Sequence, residues 1–199
     1  MRKMMAVLPF VFVLVLMVGC AKPPQDAINA AMASLDASKP LSSEYAADSL
    51  RSAEDAKAAL DAELKAQDAK FALFRSYKKT DELINDLKTK SDKAAADGKA
   101  GMELAKNDAT TAINDATAAL TDAKAQLDKA PKGKGTQADL EAMKADLTAA
   151  ESTINDANAA MSSEKYKDAK AKADAAKASA GNVVSQIQAA IEAKKGGKK

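Results

Sequence analysis

Cys20 is the only cysteine of the chain, and its thiol is the strongest nucleophile that the sequence offers. A disulfide within the chain would need a second cysteine, and a structural zinc site would need several cysteine or histidine ligands. A catalytic thiol is usually activated by a neighbouring histidine, and the sequence contains no histidine. The remaining interpretation is that Cys20 is a site of covalent processing.

The residues before Cys20 have the organisation of a secretory signal. Arg2 and Lys3 form a positively charged start, and residues 4–18 form an almost uninterrupted apolar run. This run of 15 residues is shorter than the about 20 that a membrane-spanning helix needs. We therefore predict that residues 1–19 are a signal peptide. An uncleaved N-terminal anchor with an incidental cysteine is the alternative interpretation.

A resemblance to the lipobox of bacterial lipoproteins is carried by four consecutive residues, Met17, Val18, Gly19 and Cys20. Met17 departs from the leucine that is usual at its position. The resemblance implies cleavage before Cys20, a diacylglycerol on its sulfur and an N-acyl lipid on its new amino group. Several acyl chains on one residue hold a protein firmly to a membrane, whereas one chain binds marginally. By the same resemblance, Ala21 implies sorting to the outer membrane, facing the periplasm; the inner membrane and the cell surface are the alternatives.

The charge of the chain is balanced once the signal peptide is removed. The precursor has 30 basic and 28 acidic residues, and removal of Arg2 and Lys3 leaves 28 of each. A nucleic-acid binder would concentrate Lys and Arg on one face, so this finely mixed pattern argues against a nucleic-acid partner.

The composition strongly favours helices. Alanine makes up about a quarter of the residues, far above ordinary usage, whereas the chain has 8 glycines, 5 prolines and no tryptophan. Alanine, leucine, lysine and glutamate all have high helix propensity. Small side chains bury little apolar area per residue, so we expect long helices that pack closely side by side.

The N-terminal helical region is predicted to span residues 25–129, after a lipidated cysteine and spacer at 20–24. Its helices are expected at about 25–38, 43–74 and 77–129. Pro40 is expected to end the first helix, because the residue before a proline is pushed out of helical backbone space. Ser43 is the expected N-cap of the second helix. Gly98 and Gly101 are weak points at which the third helix would bend or break.

The C-terminal region shows the clearest packing pattern. A loop at 130–136 is followed by a predicted helical hairpin at 137–194 and a basic tail at 195–199. Apolar residues alternate at spacings of three and four, which is typical of the seam between packed helices. The first seam is Leu140, Met143, Leu147, Ala150, Ile154, Ala157 and Met161. After a short break at Ser162 and Ser163, the second is Tyr166, Ala169, Ala173, Ala176, Ala180, Val183, Ile187 and Ala190.

These patterns predict an all-α fold: an elongated antiparallel helical bundle, or coiled-coil hairpins with alanine-rich seams. The seams could close within one chain or between chains, which would make a homo-oligomer. Alanine-rich helices behind a lipobox, with Ser-Glu-Tyr or Ser-Tyr helix starts, resemble small envelope lipoproteins of bacteria that share a domain of unknown function. This resemblance implies a helical fold and an envelope location, and it implies no activity.

Two groups of residues are candidate contacts. The aromatic cluster Phe71, Phe74 and Tyr77 is rich enough for a partner contact, although it would also serve as the packing plug of a helix–helix turn. The basic end, with Lys198 and Lys199, could contact peptidoglycan or anionic head groups. It is distantly similar to the lysine end of the murein lipoprotein family, which is joined to peptidoglycan. A frayed helix end is the simpler interpretation.

The sequence predicts a non-enzymatic protein with no catalytic residue, no metal ligand and no cofactor besides the lipid on Cys20. Asp and Glu side chains alternate with Lys, as Asp168 does with Lys172, which is typical of solvated helix faces. We expect a structural spacer or scaffold held to the membrane by its lipid. The alternatives are a binding module for a partner protein or peptidoglycan, and a conditionally folded stress protectant.

Overall fold

The computed structural model describes residues 22–130 and 137–196. Within these residues the secondary structure is helical, without a β-strand, so the prediction of an all-α fold is confirmed. The α-helices are α1 (Gln25–Tyr45), α2 (Ala47–Asp68), α3 (Lys78–Asp128), α4 (Gln137–Ser162) and α5 (Tyr166–Gly196). A single 3-10 turn, Ala72–Phe74, lies between α2 and α3.

The chain forms two compact units, and their boundary lies inside α3. The first unit ends at Gly101 and the second begins at Met102. The sequence had suggested a division at residues 130–136 instead, because glycine, proline and lysine are concentrated there. The boundary instead falls at Gly101, one of the two glycines that the sequence marks as weak points, although helix α3 continues through it.

The first unit is a bundle of α1, α2 and the first part of α3. Three residues on one face of α1 are buried, namely Ile28, Ala31 and Leu35. They pack in one cluster with Ala53, Ala56, Leu60, Ile84 and Leu87. Leu60 and Leu87 are fully buried, and burial of a leucine side chain contributes about 1.5–3 kcal/mol. The large side chains of this cluster therefore supply most of the unit's apolar stabilisation.

The predicted end of the first helix at residue 38 is wrong, because α1 continues through Pro40 to Tyr45. A proline inside a helix removes one backbone hydrogen bond and crowds the preceding turn. Two buried serines near Pro40 make additional bonds to the helix backbone: the Ser38 hydroxyl donates to the Leu35 carbonyl at 2.7 Å, and the Ser42 hydroxyl donates to the Ser38 carbonyl at 2.6 Å. The proline therefore lies within the helix and does not end it.

The predicted second helix, 43–74, is wrong at both ends. Ser43 lies inside α1, and the break between α1 and α2 is the single residue Ala46, whose φ and ψ are −147° and 50°. Helix α2 ends at Asp68, six residues earlier than predicted. The third predicted helix, 77–129, agrees with α3 to within one residue at each end.

Helix α3 passes through Gly98 and Gly101 without a break. A Cβ atom on Gly98 would lie 2.9 Å from the Ser42 nitrogen, and one on Gly101 would lie 2.6 Å from the Tyr45 carbonyl oxygen. Real Cβ atoms do not come so close to backbone atoms. Both glycines therefore allow α1 and α3 to approach closely, which is a packing role rather than a hinge.

The second unit is a bundle of the second part of α3 with the α4–α5 hairpin. Its core confirms the predicted seams: Met143, Leu147, Ala150, Ile154 and Ala157 are buried on α4. On α5 the buried seam residues are Tyr166, Ala169, Ala173, Ala176, Ala180, Val183 and Ile187. The contribution of α3 to this core includes Ala112, Ala116, Leu120 and Ala123. Alanine at so many contact positions lets the helix backbones pack closely.

The turn between α4 and α5 stores backbone strain at Glu164, whose φ is 59°. The Lys165 amide donates to the Ala160 carbonyl and the Glu164 amide donates to the Met161 carbonyl, each at 3.0–3.1 Å. This pair of bonds is the Schellman arrangement, in which glycine normally occupies the left-handed position.

We expect Glu164→Gly to raise the free energy of unfolding by about 0.5–1 kcal/mol, because glycine adopts a positive φ without a Cβ penalty. Glu164→Ala is the matched control, since it removes the same exposed carboxylate and retains the strain. Chemical denaturation of the three proteins measures the difference. Equal stability of the Gly and Ala variants would show that the strain is not released.

Candidate functional site

The predicted lipidation site lies outside the described residues. Cys20 and the lipobox residues Met17, Val18 and Gly19 precede Lys22, where the described chain begins. At the other end, Lys198 and Lys199 follow the last described residue, Gly196. Lipidation of Cys20 and a wall or lipid contact of the terminal lysines therefore stay predictions.

The three residues of the aromatic cluster predicted as a partner contact differ in their exposure to solvent. Phe71 and Phe74 are each 74% exposed, whereas Tyr77 is only 7% exposed. Leu73, which the sequence analysis did not single out, lies between the two phenylalanines and is 62% exposed. We call Phe71, Leu73 and Phe74 the apolar tip. Of the three aromatic residues, only Tyr77 packs inside the helix–helix turn, and its burial makes it unavailable to a partner.

The apolar tip presents its side chains outward from a defined turn. The Phe74 amide donates to the Phe71 carbonyl at 2.9 Å, and the two rings lie 6.4 Å apart, tilted by 52°. Taking about 200 Å² for a phenylalanine side chain, the tip exposes on the order of 400 Å² of apolar surface. A contiguous patch of this size on a soluble surface commonly marks an interaction site.

The loop that carries the tip is held by hydrogen bonds from both sides. The Arg75 guanidinium donates to the Asp68 carbonyl at 3.0 Å and to the Lys70 carbonyl at 3.2 Å. The Ser76 amide donates to the Gln67 side-chain oxygen at 3.0 Å. These bonds close the loop across its base, so the exposed residues are fixed in position before any partner arrives.

A polar bridge beneath the loop connects α2 to α3. The side chain of buried Gln67 donates to the Glu63 carboxylate at 2.6 Å, and the Lys79 ammonium lies 3.0 Å from the same carboxylate. Hydrogen bonds from Gln67 and from Lys79 hold the pKa of the Glu63 carboxyl below its usual value. The bridge stays charged at neutral pH and fixes the start of α3 against the end of α2.

The surroundings of the tip are basic. Between residues 69 and 80 the sequence contains four cations and no carboxylate. Lys70 and Lys78 are exposed on either side of the tip. Arg75 and Lys79 are engaged with Asp68 and Glu63, respectively. The surface that surrounds the apolar side chains is thus positively charged at its rim.

The tip lies at the end of the first unit where α1 begins. The Ser34 hydroxyl donates to Asp92 at 2.8 Å, and Gly101 contacts Tyr45, so α1 and α3 run in parallel at an offset of 56 to 58 residues. This register places Lys78, the first residue of α3, level with Lys22, about one helical turn before α1 begins. The tip, which directly precedes α3, therefore belongs to the same end of the unit as Lys22.

Hydrogen bonds between serine and aspartate secure this register along α3. The Ser49 hydroxyl on α2 donates to Asp97, and the Ser34 hydroxyl on α1 donates to Asp92. The pKa of Asp97 is lowered by the hydrogen bond from Lys93 and then by that from Ser49. One pair joins α3 to α1 and the other joins α3 to α2.

A separate open groove of about 520 Å³ lies between α3 and α4 in the second unit. Its apolar floor is formed by Leu127, Leu140 and Leu147, and its rim carries both charges. The Lys124 ammonium and the Glu151 carboxylate pair across it at 2.7 Å. The groove has the size and mixed character that suit a short peptide segment.

Two further features of the described residues bear on chemistry. In residues 22–130 and 137–196, no three His, Cys, Asp or Glu side chains are grouped so as to hold a metal ion. No helix in these two ranges combines the length and the hydropathy of a membrane span.

Comparison with protein-family models, with curated proteins and with solved structures finds no match for this chain. The helices themselves define the class of the protein, an all-α helical bundle.

Proposed function

We propose that the chain is a lipid-anchored, non-enzymatic helical protein of the bacterial envelope that acts as a spacer or scaffold on the periplasmic face of the outer membrane. The observation that carries the proposal is the Gly19–Cys20 pair at the end of the apolar run 4–18. A thiol at that position can serve as an acyl acceptor. A disulfide, a zinc site or an activated catalytic thiol would need a second cysteine or a histidine, and the sequence contains neither.

The packed helical units support the structural part of the proposal. Their cores consist mainly of leucine, isoleucine and alanine on regular helix seams, which suits a component that provides a fixed surface. Buried Val183 and Ile187 on α5 favour a folded hairpin over the alternative of a conditionally folded stress protectant.

We expect Cys20→Ser to abolish incorporation of labelled fatty acid and to leave an uncleaved precursor, because the sulfur is both the acyl acceptor and the mark for cleavage. Metabolic labelling, followed by mass measurement of the protein, reads out both effects. Ala21→Ser is the matched control, since it alters the neighbouring residue and leaves the thiol in place. Undiminished labelling of Cys20→Ser would overturn the proposed anchor.

A binding module is the second candidate, and the groove between α3 and α4 favours it. The leucine floor and charged rim of the groove would receive an amphipathic segment of an envelope protein. Attachment to peptidoglycan through Lys198 or Lys199 is the other form of this alternative. It would be established if SDS-boiled cell-wall sacculi released the protein only after digestion with a muramidase.

A further inference from the structure

The apolar tip is a preformed surface without a partner inside the described chain. Phe71 and Phe74 are each 74% exposed, yet the loop that carries them is closed by the Arg75 and Ser76 hydrogen bonds. Exposed aromatic side chains on a mobile loop could turn inward, but here the backbone prevents it. Burial of these side chains away from water therefore requires a surface outside the first unit.

The position of the tip relative to the anchor suggests what covers it. Lys22 follows Cys20 by two positions, and two positions of chain span at most about 7 Å. The tip belongs to the same end of the first unit as Lys22, because α1 and α3 run parallel and the register places Lys78 level with Lys22. A lipid on Cys20 would therefore bring the tip to the membrane surface.

The charge and the area of the tip fit a bilayer better than a second protein. Exposed Lys70 and Lys78 flank it, with no carboxylate between residues 69 and 80, and basic residues around inserted apolar ones favour anionic head groups. The exposed apolar area is on the order of 400 Å². A bilayer covers such an area without a surface of complementary shape, which a second protein would need.

We propose that Phe71, Leu73 and Phe74 insert into the interfacial region of the membrane beside the lipid anchor, so that the first unit is held at two points. This inference rests on the proposed lipidation of Cys20. The acyl chains supply the attachment, and the tip fixes orientation: with one end inserted, α1 and α2 extend away from the bilayer. An acylated cysteine alone would hold the unit at a single point and would not fix its orientation.

The test uses the full mature lipoprotein with an environment-sensitive fluorophore on Leu73→Cys, since acylation blocks the thiol of Cys20. The protein is reconstituted into vesicles of phosphatidylethanolamine with about one-third phosphatidylglycerol, an anionic lipid. Nitroxide-bearing lipids and a water-soluble quencher report whether the label contacts lipid or water. Ser43→Cys, exposed near the α1–α2 junction at the opposite end of the unit, is the reference position.

We expect the label at residue 73 to be quenched several-fold more by nitroxide lipids than the label at residue 43. Phe71→Ser with Phe74→Ser, added to the labelled protein, should remove that difference while circular dichroism stays unchanged. Leu104→Ser is the matched control, because Leu104 is a 66% exposed apolar residue of the second unit, and it should leave the quenching intact.

Each other outcome overturns the inference in a distinct way. If the protein floats with the vesicles but the label at residue 73 stays open to the aqueous quencher, the tip does not insert and the anchor proposal survives. If the label is shielded from water without lipid quenching, a second copy or another protein segment covers the tip. If the protein carries no acyl chain and does not float, the proposed function itself fails.

Discussion

Gly101→Ala lowers the free energy of unfolding of the first unit by about 1–3 kcal/mol, the cost of forcing an extra carbon into a tightly packed contact. The added methyl group would lie 2.6 Å from the Tyr45 carbonyl oxygen and 2.9 Å from its Cβ atom. Tyr45 is the last residue of α1, and its backbone carbonyl can move only if the end of that helix moves. The steric cost therefore exceeds the about 1 kcal/mol that alanine normally gains over glycine in a helix.

Gly181→Ala provides the matched control for this result. Gly181 lies inside α5, and a Cβ atom there would meet nothing within 4 Å. We expect this variant to be stabilised by about 0.5–1 kcal/mol, the intrinsic advantage of alanine. Urea unfolding followed by far-UV circular dichroism gives both values. Two variants that shift in the same direction would show that α1 and α3 relax apart at Gly101.

Leu60→Ala is expected to destabilise the first unit by about 2–4 kcal/mol, because the lost methyl groups leave a cavity among residues that cannot collapse to fill it. Leu60 is fully buried and packs in the cluster that contains Leu35 and Leu87. Leu147 has the same role in the core of the second unit. The exposed Leu104→Ala variant should change stability by less than about 0.5 kcal/mol.

Hydrogen exchange, measured for each amide, tests whether the two units unfold independently. The two core clusters share no residue. Leu60→Ala should therefore lower protection in α1 and α2, and Leu147→Ala should lower it in α4 and α5, since each truncation opens a different core. If either variant lowered protection equally in both units, the chain would unfold as one cooperative body.

Helices that carry a regular apolar seam were predictable from the sequence. The spacing of three and four along α4 and α5 depends only on local geometry, so the buried residues from Met143 to Ile187 follow from it. The seam in the first part of α3 was missed because some of its residues, such as Thr80 and Ser91, have polar side chains. Both are nevertheless fully buried. Their burial depends on the neighbouring helices.

Helix ends were less predictable, because they depend on contacts that the local sequence does not contain. Pro40 signals a stop in isolation, but buried Ser38 and Ser42 bond to α1 carbonyls around it. Gly98 and Gly101 signal a break in isolation, but their missing side chains admit the backbone of α1. In each case a residue that disfavours an isolated helix serves the packing of the bundle.

The candidate site was predictable only in part. Three aromatic residues within a short stretch drew attention to residues 71–77, but the sequence could not separate the buried Tyr77 from the exposed Phe71 and Phe74. That distinction arises from the closure of the loop by Arg75. The supporting role of Gln67 gave no signal at all, since a glutamine near a helix end is ordinarily a solvated residue.

The alanine-lined seams also affect how stability depends on temperature. Exposure of apolar surface is what raises the heat capacity on unfolding, by about 0.45 cal/mol/K for each Å². Core positions such as Ala116, Ala157 and Ala173 are fully buried, but each contributes far less of this surface than a leucine would. The heat-capacity increment per residue therefore falls below the usual 12–15 cal/mol/K, which flattens the stability curve. A bundle built in this way loses little of its folding free energy on cooling.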